Sequence, residues 1–154
     1  MLHVILFEPE IPSNAGNVIR LCANTDATLH LVRPLGFSLD DARLRRAGLD
    51  YRDLARVREH ADLEACLSQL DRGRVFAVET NAGRRYDEAR YKRGDAFLFG
   101  RETSGLPSDV ISARPEECRI RLPMVPGNRS LNLANTVAIV VYEAWRQIDF
   151  AGSR

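Results

Sequence analysis

The sequence predicts an α/β fold: a mostly parallel sheet with helices on both faces. Three observations lead there. Five short apolar runs rich in β-branched and aromatic residues are too short for typical helices and read as strands. Segments with apolar residues at helical spacing separate them. The two kinds of segment alternate along the chain, the order that parallel strands joined by crossover helices produce.

Taken in order, Leu2–Phe7 is the first strand. Pro9 and Pro12 then force an extended turn, and Ser13 or Asn14 is expected to cap a helix over Asn14–Thr25. In that helix Val18, Leu21, Cys22 and Thr25 follow the i, i+3, i+4, i+7 pattern of a core-facing stripe. Asn17, Arg20 and Asn24 form the opposite stripe, with Asn14 at its entrance. Three amides and an arginine, with no lysine or glutamate, suit hydrogen bonding better than solubility. Thr28–Val32 is the second strand, and helices are expected over Asp40–Leu49 and Asp62–Leu70. Arg74–Thr80 and Ala96–Gly100 are the third and fourth strands, the latter running into a Gly-bounded loop that carries Glu102. A helix follows over Pro107–Ser112, then a strand over Cys118–Leu122 and a Pro/Gly loop. Ser130 or Asn132 is expected to cap the last helix, Leu133–Ile148. There Ala138, Val141, Tyr142, Trp145 and Ile148 make one apolar stripe, while Val137, Ile139 and Val140 coat much of the rest, the pattern of a buried helix.

The 154 residues fit a single domain spanning 1–154 with a sizeable core. Ordinary hydropathy and a net charge of +1, from 22 basic and 21 acidic residues, exclude a disordered chain. That total hides local excesses. Six arginines against four acids lie between Asp41 and Glu59, and five cations against two acids between Arg84 and Arg93. Lys92 is the sole lysine, so almost every cation is a planar, bidentate donor. Cys22, Cys66 and Cys118 form no Cys-x-x-Cys pair and are expected to be buried free thiols. The first residues lack a secretory pattern and no apolar run approaches a membrane span, so a soluble cytoplasmic protein is expected.

Familiar phosphate loops are missing from the sequence. Ser104 lacks the Gly-x-Ser-x-Gly setting, and His3, His30 and His60 have no spacing that offers it a base, which disfavours hydrolase chemistry. What stands out instead is three polar loops, each directly after a strand, where open α/β sheets bind ligands.

These loops, EPEIPSNAGNVIR (8–20), FLFGRETSGLP (97–107) and IRLPMVPGNRSLNLANTVAIVVYEAW (120–145), resemble the three motifs of the SPOUT superfamily of RNA methyltransferases. Within it the chain is most similar to the small bacterial tRNA (cytidine/uridine) 2′-O-methyltransferases that modify the wobble nucleotide. The resemblance covers almost the whole chain. It implies a C-terminal deep trefoil knot, a homodimer, and S-adenosylmethionine (SAM) as methyl donor, leaving S-adenosylhomocysteine. Matching positions imply cofactor contacts at Val78, Gly100, Leu122, Met124 and Ser130, and catalytic roles for Asn14, Arg20, Glu102, Ser130 and Asn132. Arg101 stands where many relatives carry proline. The implied substrate is the anticodon stem-loop of tRNA(Leu) isoacceptors, gripped by Arg43, Arg46 and Arg129, with no metal, membrane or further protein partner. Other readings on the same fold are a 2′-O-methyltransferase acting elsewhere on tRNA or on rRNA, and a non-catalytic RNA-binding module.

Transfer of a methyl group from a sulfonium to a ribose hydroxyl consumes the reagent's positive charge, so a dry pocket that aims the hydroxyl favours it. A guanidinium keeps its proton at neutral pH, which suits Arg20 to orienting the hydroxyl and stabilising negative oxygen more than to abstracting a proton. Asn14 or Asn17 is the expected holder of its fork.

Overall fold

The computed structural model describes residues 1–40, 49–54, 56–70 and 73–153. Among them, seven strands form one parallel sheet: β1 (His3–Phe7), β2 (Thr28–Val32), β3 (Val57–His60), β4 (Val75–Val78), β5 (Arg84–Arg85), β6 (Ala96–Phe99) and β7 (Arg119–Arg121). Their spatial order is β3-β2-β1-β6-β4-β7-β5. The five expected strands are all present. The two that periodicity missed, β3 and β5, are the edges, where little apolar surface is buried and no alternation is needed.

The helices are α1 (Pro12–Thr25), α2 (Tyr51–Leu54), α3 (Leu63–Ser68), α4 (Ser108–Ser112) and α5 (Leu133–Gln147). They lie on both faces, as the strand alternation requires. Val4 and Leu6 of β1 point into a cluster shared with Val18 and Cys22 of α1 and Val137 and Val141 of α5. Ile5 and Phe7 point the other way, into a cluster with Cys66 of α3, against which Val110 and Ile111 of α4 pack. Central β6 is buried at all four positions, so it reads as a continuous apolar run.

The order of strands departs from the order of the chain. After β4 the chain reaches the far edge at β5 and returns to insert β6 between β1 and β4. It then inserts β7 between β4 and β5, and α5 crosses back to pack on α1. This brings the carboxyl ends of β4, β6 and β7 side by side, with Val78 level with both Phe99 and Ile120.

Three expectations need correction. The cap of α1 is Ile11, with Pro12 in the first turn and no side-chain cap, because the two prolines leave Ser13 and Asn14 inside the helix. The last helix is not buried all round: Ile139 and Tyr142 are 39% and 47% exposed, on a stripe that also carries exposed Asn135 and Arg146. The basic stretch 84–93 is partly structural, since Arg84 donates to the Glu117 and Glu88 carbonyls and Arg85 pairs with Asp87. The expected helix over Asp40–Leu49 falls mainly on residues 41–48, outside the described residues. The three cysteines are free and buried. No helix among the described residues is long and apolar enough to cross a membrane.

Candidate functional site: a pocket where three loops meet

The loops after β1, β6 and β7 converge over the carboxyl ends of β4, β6 and β7, enclosing a cavity of about 750 Å³. Its lining includes Val78, Gly100, Leu122, Met124 and Ser130, and also Asn14, Glu102 and Asn132. Eight of the residues singled out in the sequence therefore share one site.

Glu102 organises it. Its carboxylate accepts N–H bonds from Glu10 (2.8 Å) and Ile11 (3.1 Å), immediately ahead of α1, and from Asn14 Nδ2 (3.3 Å). A negative group at the start of a helix also meets the positive end of its dipole. Asn14, only 5% exposed, passes the connection on: its Oδ1 accepts from Asn132 Nδ2 at 2.9 Å. Asn132 in turn caps α5, its Oδ1 accepting from the amides of Ala134 (2.9 Å) and Asn135 (3.3 Å). One chain of hydrogen bonds thus joins all three loops, and Asn14 serves this chain rather than the exposed stripe of α1.

The loop carrying Glu102 is tightly closed. Arg101 and Gly105 exchange backbone hydrogen bonds of 3.2 and 2.9 Å. A Cβ on Gly100 would stand 2.1 Å from the Gly105 carbonyl carbon, so only glycine permits this return. Arg101 ties the loop to β1, pairing with Glu8 and lying 5.5 Å over the Phe7 ring, and the Thr103 amide and hydroxyl donate to Glu10. The arginine found in place of proline therefore adds a tether.

Arg20 is not brought into the pocket. It lies six residues beyond Asn14, about 9 Å along the axis and on a different side of α1. Its side chain is 50% exposed and its guanidinium stands 3.8 Å from Asp53 of α2. Asp53, rather than Asn14 or Asn17, holds it. Arg129 is exposed in the loop beside the lining residues Asn128 and Ser130. Arg43 and Arg46 lie outside the described residues.

Sequence reasoning missed several lining groups, notably Glu79, Thr80 and Asn128. Glu79 follows Val78 directly and accepts from the Asn81 amide at 2.7 Å, and its place after a strand was the available signal. Also missed is a polar row on the other half of the sheet. His3, His30 and His60 stand on adjacent β1, β2 and β3, with ring nitrogens 3.0 and 2.9 Å apart. Burial, reinforced by the neighbouring His3, His60 and Arg58, holds His30 down at about 4.

Comparison with known proteins identifies the family. The model of the SpoU rRNA Methylase family matches residues 1–142. A tRNA (cytidine(34)-2′-O)-methyltransferase of Burkholderia ambifaria is 58% identical, over 99% of both chains. A solved structure described as giving structural insights into the 2-OH methylation of C/U34 on tRNA superposes with a TM-score of 0.89 at 47% identity, covering 97% of each chain. The SpoU methyltransferase AviRb of Streptomyces viridochromogenes, solved with the cofactor AdoMet, shares the fold at 19% identity and a TM-score of 0.83, over 97% of this chain and 61% of its own. With a family model spanning most of its length and a relative this similar from end to end, the chain belongs to the SpoU rRNA Methylase family.

Proposed function

We propose that this chain is a SAM-dependent tRNA 2′-O-methyltransferase that modifies the ribose of the wobble nucleotide, cytidine or uridine 34, in tRNA(Leu) isoacceptors. The observation that carries the reading is the hydrogen-bonded joining of three loops around one cavity by Glu102, Asn14 and Asn132. End-to-end similarity to enzymes named for cytidine 34 supports the choice of nucleotide. The whole chain, 1–154, acts as one cytoplasmic domain.

The pocket suits the cofactor. Three main-chain segments, at Val78, Gly100 and Leu122, end side by side at the cavity, whose lining mixes apolar Leu122 and Met124 with polar Glu79, Thr80 and Ser130. That mixture fits a nucleoside joined to an amino-acid arm. SAM supplies an electrophilic methyl carbon on a sulfonium. Val78, Gly100, Leu122, Met124 and Ser130 hold it and exclude water. Glu102, Asn14 and Asn132 fix the loops in register, so that the ribose hydroxyl meets the pocket in a single orientation. Chain passage from β5 back to β6 and on to β7 and α5 supports a trefoil knot in which the pocket loops cross.

Arg20 orients the attacking hydroxyl and stabilises the oxygen as its proton leaves. Because it does not reach the pocket of its own chain, a homodimer supplies it across the interface. The open stripe of Ile139 and Tyr142 on α5, the helix that packs on α1, is apolar surface for that interface. Arg129, with Arg43 and Arg46, grips the phosphates of the anticodon stem-loop.

Incubating the purified chain with SAM and tRNA(Leu), followed by nuclease digestion and mass spectrometry, is expected to place one 2′-O-methyl group on nucleotide 34. Methylation elsewhere, or none, overturns the reading. Arg20→Ala is expected to abolish methylation while SAM binding, followed by calorimetry, stays unchanged. Full activity of this variant removes the proposed role of Arg20.

A further inference from the structure

Away from the pocket, the half of the sheet formed by β1, β2 and β3 holds a second cluster of chemically capable groups. His30 Nδ1 or Nε2, His60 and Cys66 Sγ each offer a ligand atom, all within 4.8 Å of one another, and all three residues are buried. They come from three places: His30 from the middle of β2, His60 from the end of β3, and Cys66 from α3, six residues on. Strand alternation puts His30 on the face that carries Ile5, Val32 and Cys66, opposite α1 and α5.

We propose that His30, His60 and Cys66 bind one thiophilic d10 cation, of which Zn²⁺ is the representative, with a water molecule as the fourth ligand, at a site independent of methyl transfer. Two imidazoles and a thiolate are the donors that such an ion selects over oxygen-preferring Mg²⁺ or Ca²⁺. The orientation of His30 is already set. Its Nε2 stands 3.0 Å from His3 Nδ1, so an Nε2–H tautomer donates to His3 and leaves Nδ1 as a bare lone pair towards His60. Such a second partner holding the ring of a ligating histidine is the usual accompaniment of a metal site. His30 Nδ1 and His60 Nε2 are 2.9 Å apart, close enough to share a proton. A tetrahedral ion with metal–nitrogen bonds near 2.0–2.1 Å spaces its nitrogens by about 3.3 Å, so the ion replaces that proton with a small opening of the pair.

The balance is simple. The His60 proton moves from Nε2 to Nδ1, the Cys66 thiol loses its proton to solvent, and both imidazoles bind as neutral ligands. Burial pushes the free Cys66 thiol up to about 12, so a cation in contact with Sγ is what makes it a thiolate. The sequence gives no warning of this cluster because residues 30, 60 and 66 match no ligand spacing and meet only through strand pairing.

Cobalt tests the site. Titrating Co²⁺ into full-length protein freed of metal with a chelator is expected to give a near-ultraviolet thiolate-to-cobalt band that saturates at one ion per chain and is erased by Zn²⁺. Cys66→Ser is expected to abolish that band and to weaken Zn²⁺ binding at least about 10-fold, and His3→Asn to weaken it about 10-fold while keeping the band. Melting curves and SAM calorimetry on the metal-free variants confirm that the fold and the pocket are intact. Absence of the band in the unmodified protein, or Zn²⁺ affinity unchanged by Cys66→Ser, overturns the proposal. Should Cys66→Ser fail to fold, X-ray absorption at the zinc edge of the unmodified protein decides: two nitrogens and one sulfur support the site, and an all-oxygen-and-nitrogen shell overturns it. None of these readouts depends on tRNA, so they succeed or fail separately from the methyltransferase reading.

Discussion

Strand β6 has a carboxylate near each end, Asp95 just before it and Glu102 three residues after it, and the two use similar bonding for different purposes. Each accepts three N–H bonds. Asp95 takes two from Arg74, through Nε (3.2 Å) and Nη2 (2.7 Å), and one from the Lys92 amide (2.8 Å). Glu102 takes its three from the start of α1. Asp95 is fully buried, and its own charge is neutralised by the guanidinium of Arg74, a side chain that is 40% exposed. Glu102 is half-buried, faces uncharged donors and borders the cavity. Bond number does not separate a carboxylate that supports the sheet from one that borders the cavity. What separates them is whether the donors belong to a neighbouring strand connection or to the loops that frame a pocket.

The contrast can be broken by substitution. Asp95→Ala leaves the partly exposed Arg74 guanidinium and the Lys92 amide without their acceptor, and a loss of about 1.5–3 kcal/mol in a urea melt is expected. At a temperature where the variant is folded, its kcat should stay within about twofold; a large fall in kcat would erase the distinction. Glu102→Ala should do the reverse, lowering kcat about 100-fold through misplaced loops while the melting temperature moves by only a few degrees. Gly100→Ala acts at the same end of the strand and sharpens the point. Its new Cβ forces the Arg101–Gly105 loop open, and SAM affinity by calorimetry should fall about 10- to 100-fold. The smallest effect is expected from Arg129→Ala, which should reduce the slope of log affinity for tRNA against log salt by roughly 1 with SAM binding unchanged.

Much of this was legible in the sequence. Strands whose burial is continuous, such as β6, announce themselves because every residue is apolar, and loops that follow them are natural ligand sites. The edge strands were illegible for the same reason reversed: Val-Arg-Glu-His in β3 and Arg84–Arg85 in β5 gain their pairing from a neighbour and not from their own pattern. Asn14 was visible as an unusual residue, but its role was not. A helix cap needs only local sequence, whereas its actual partners are 88 and 118 positions away. Arg20 shows the same limit, since Asp53 was one of several acids in a charged stretch and only folding selects it. The resemblance named eight residues that line the cavity; the hydrogen bonds link three of these, Glu102, Asn14 and Asn132, and leave Arg20 outside it.

The insertion of β6 between β1 and β4, and of β7 between β4 and β5, has a consequence for how the enzyme is made. A ribosome delivers the chain from its amino end, yet β6, which completes the middle of the sheet, comes only at Ala96–Phe99, and Asn132, which ties the third loop to the first, emerges later still. A chain that ends before Asn132 lacks both α5 and the bond that ties the third loop to the first, and is expected to be silent rather than weakly active, so that truncation by translation errors yields no methylating fragment.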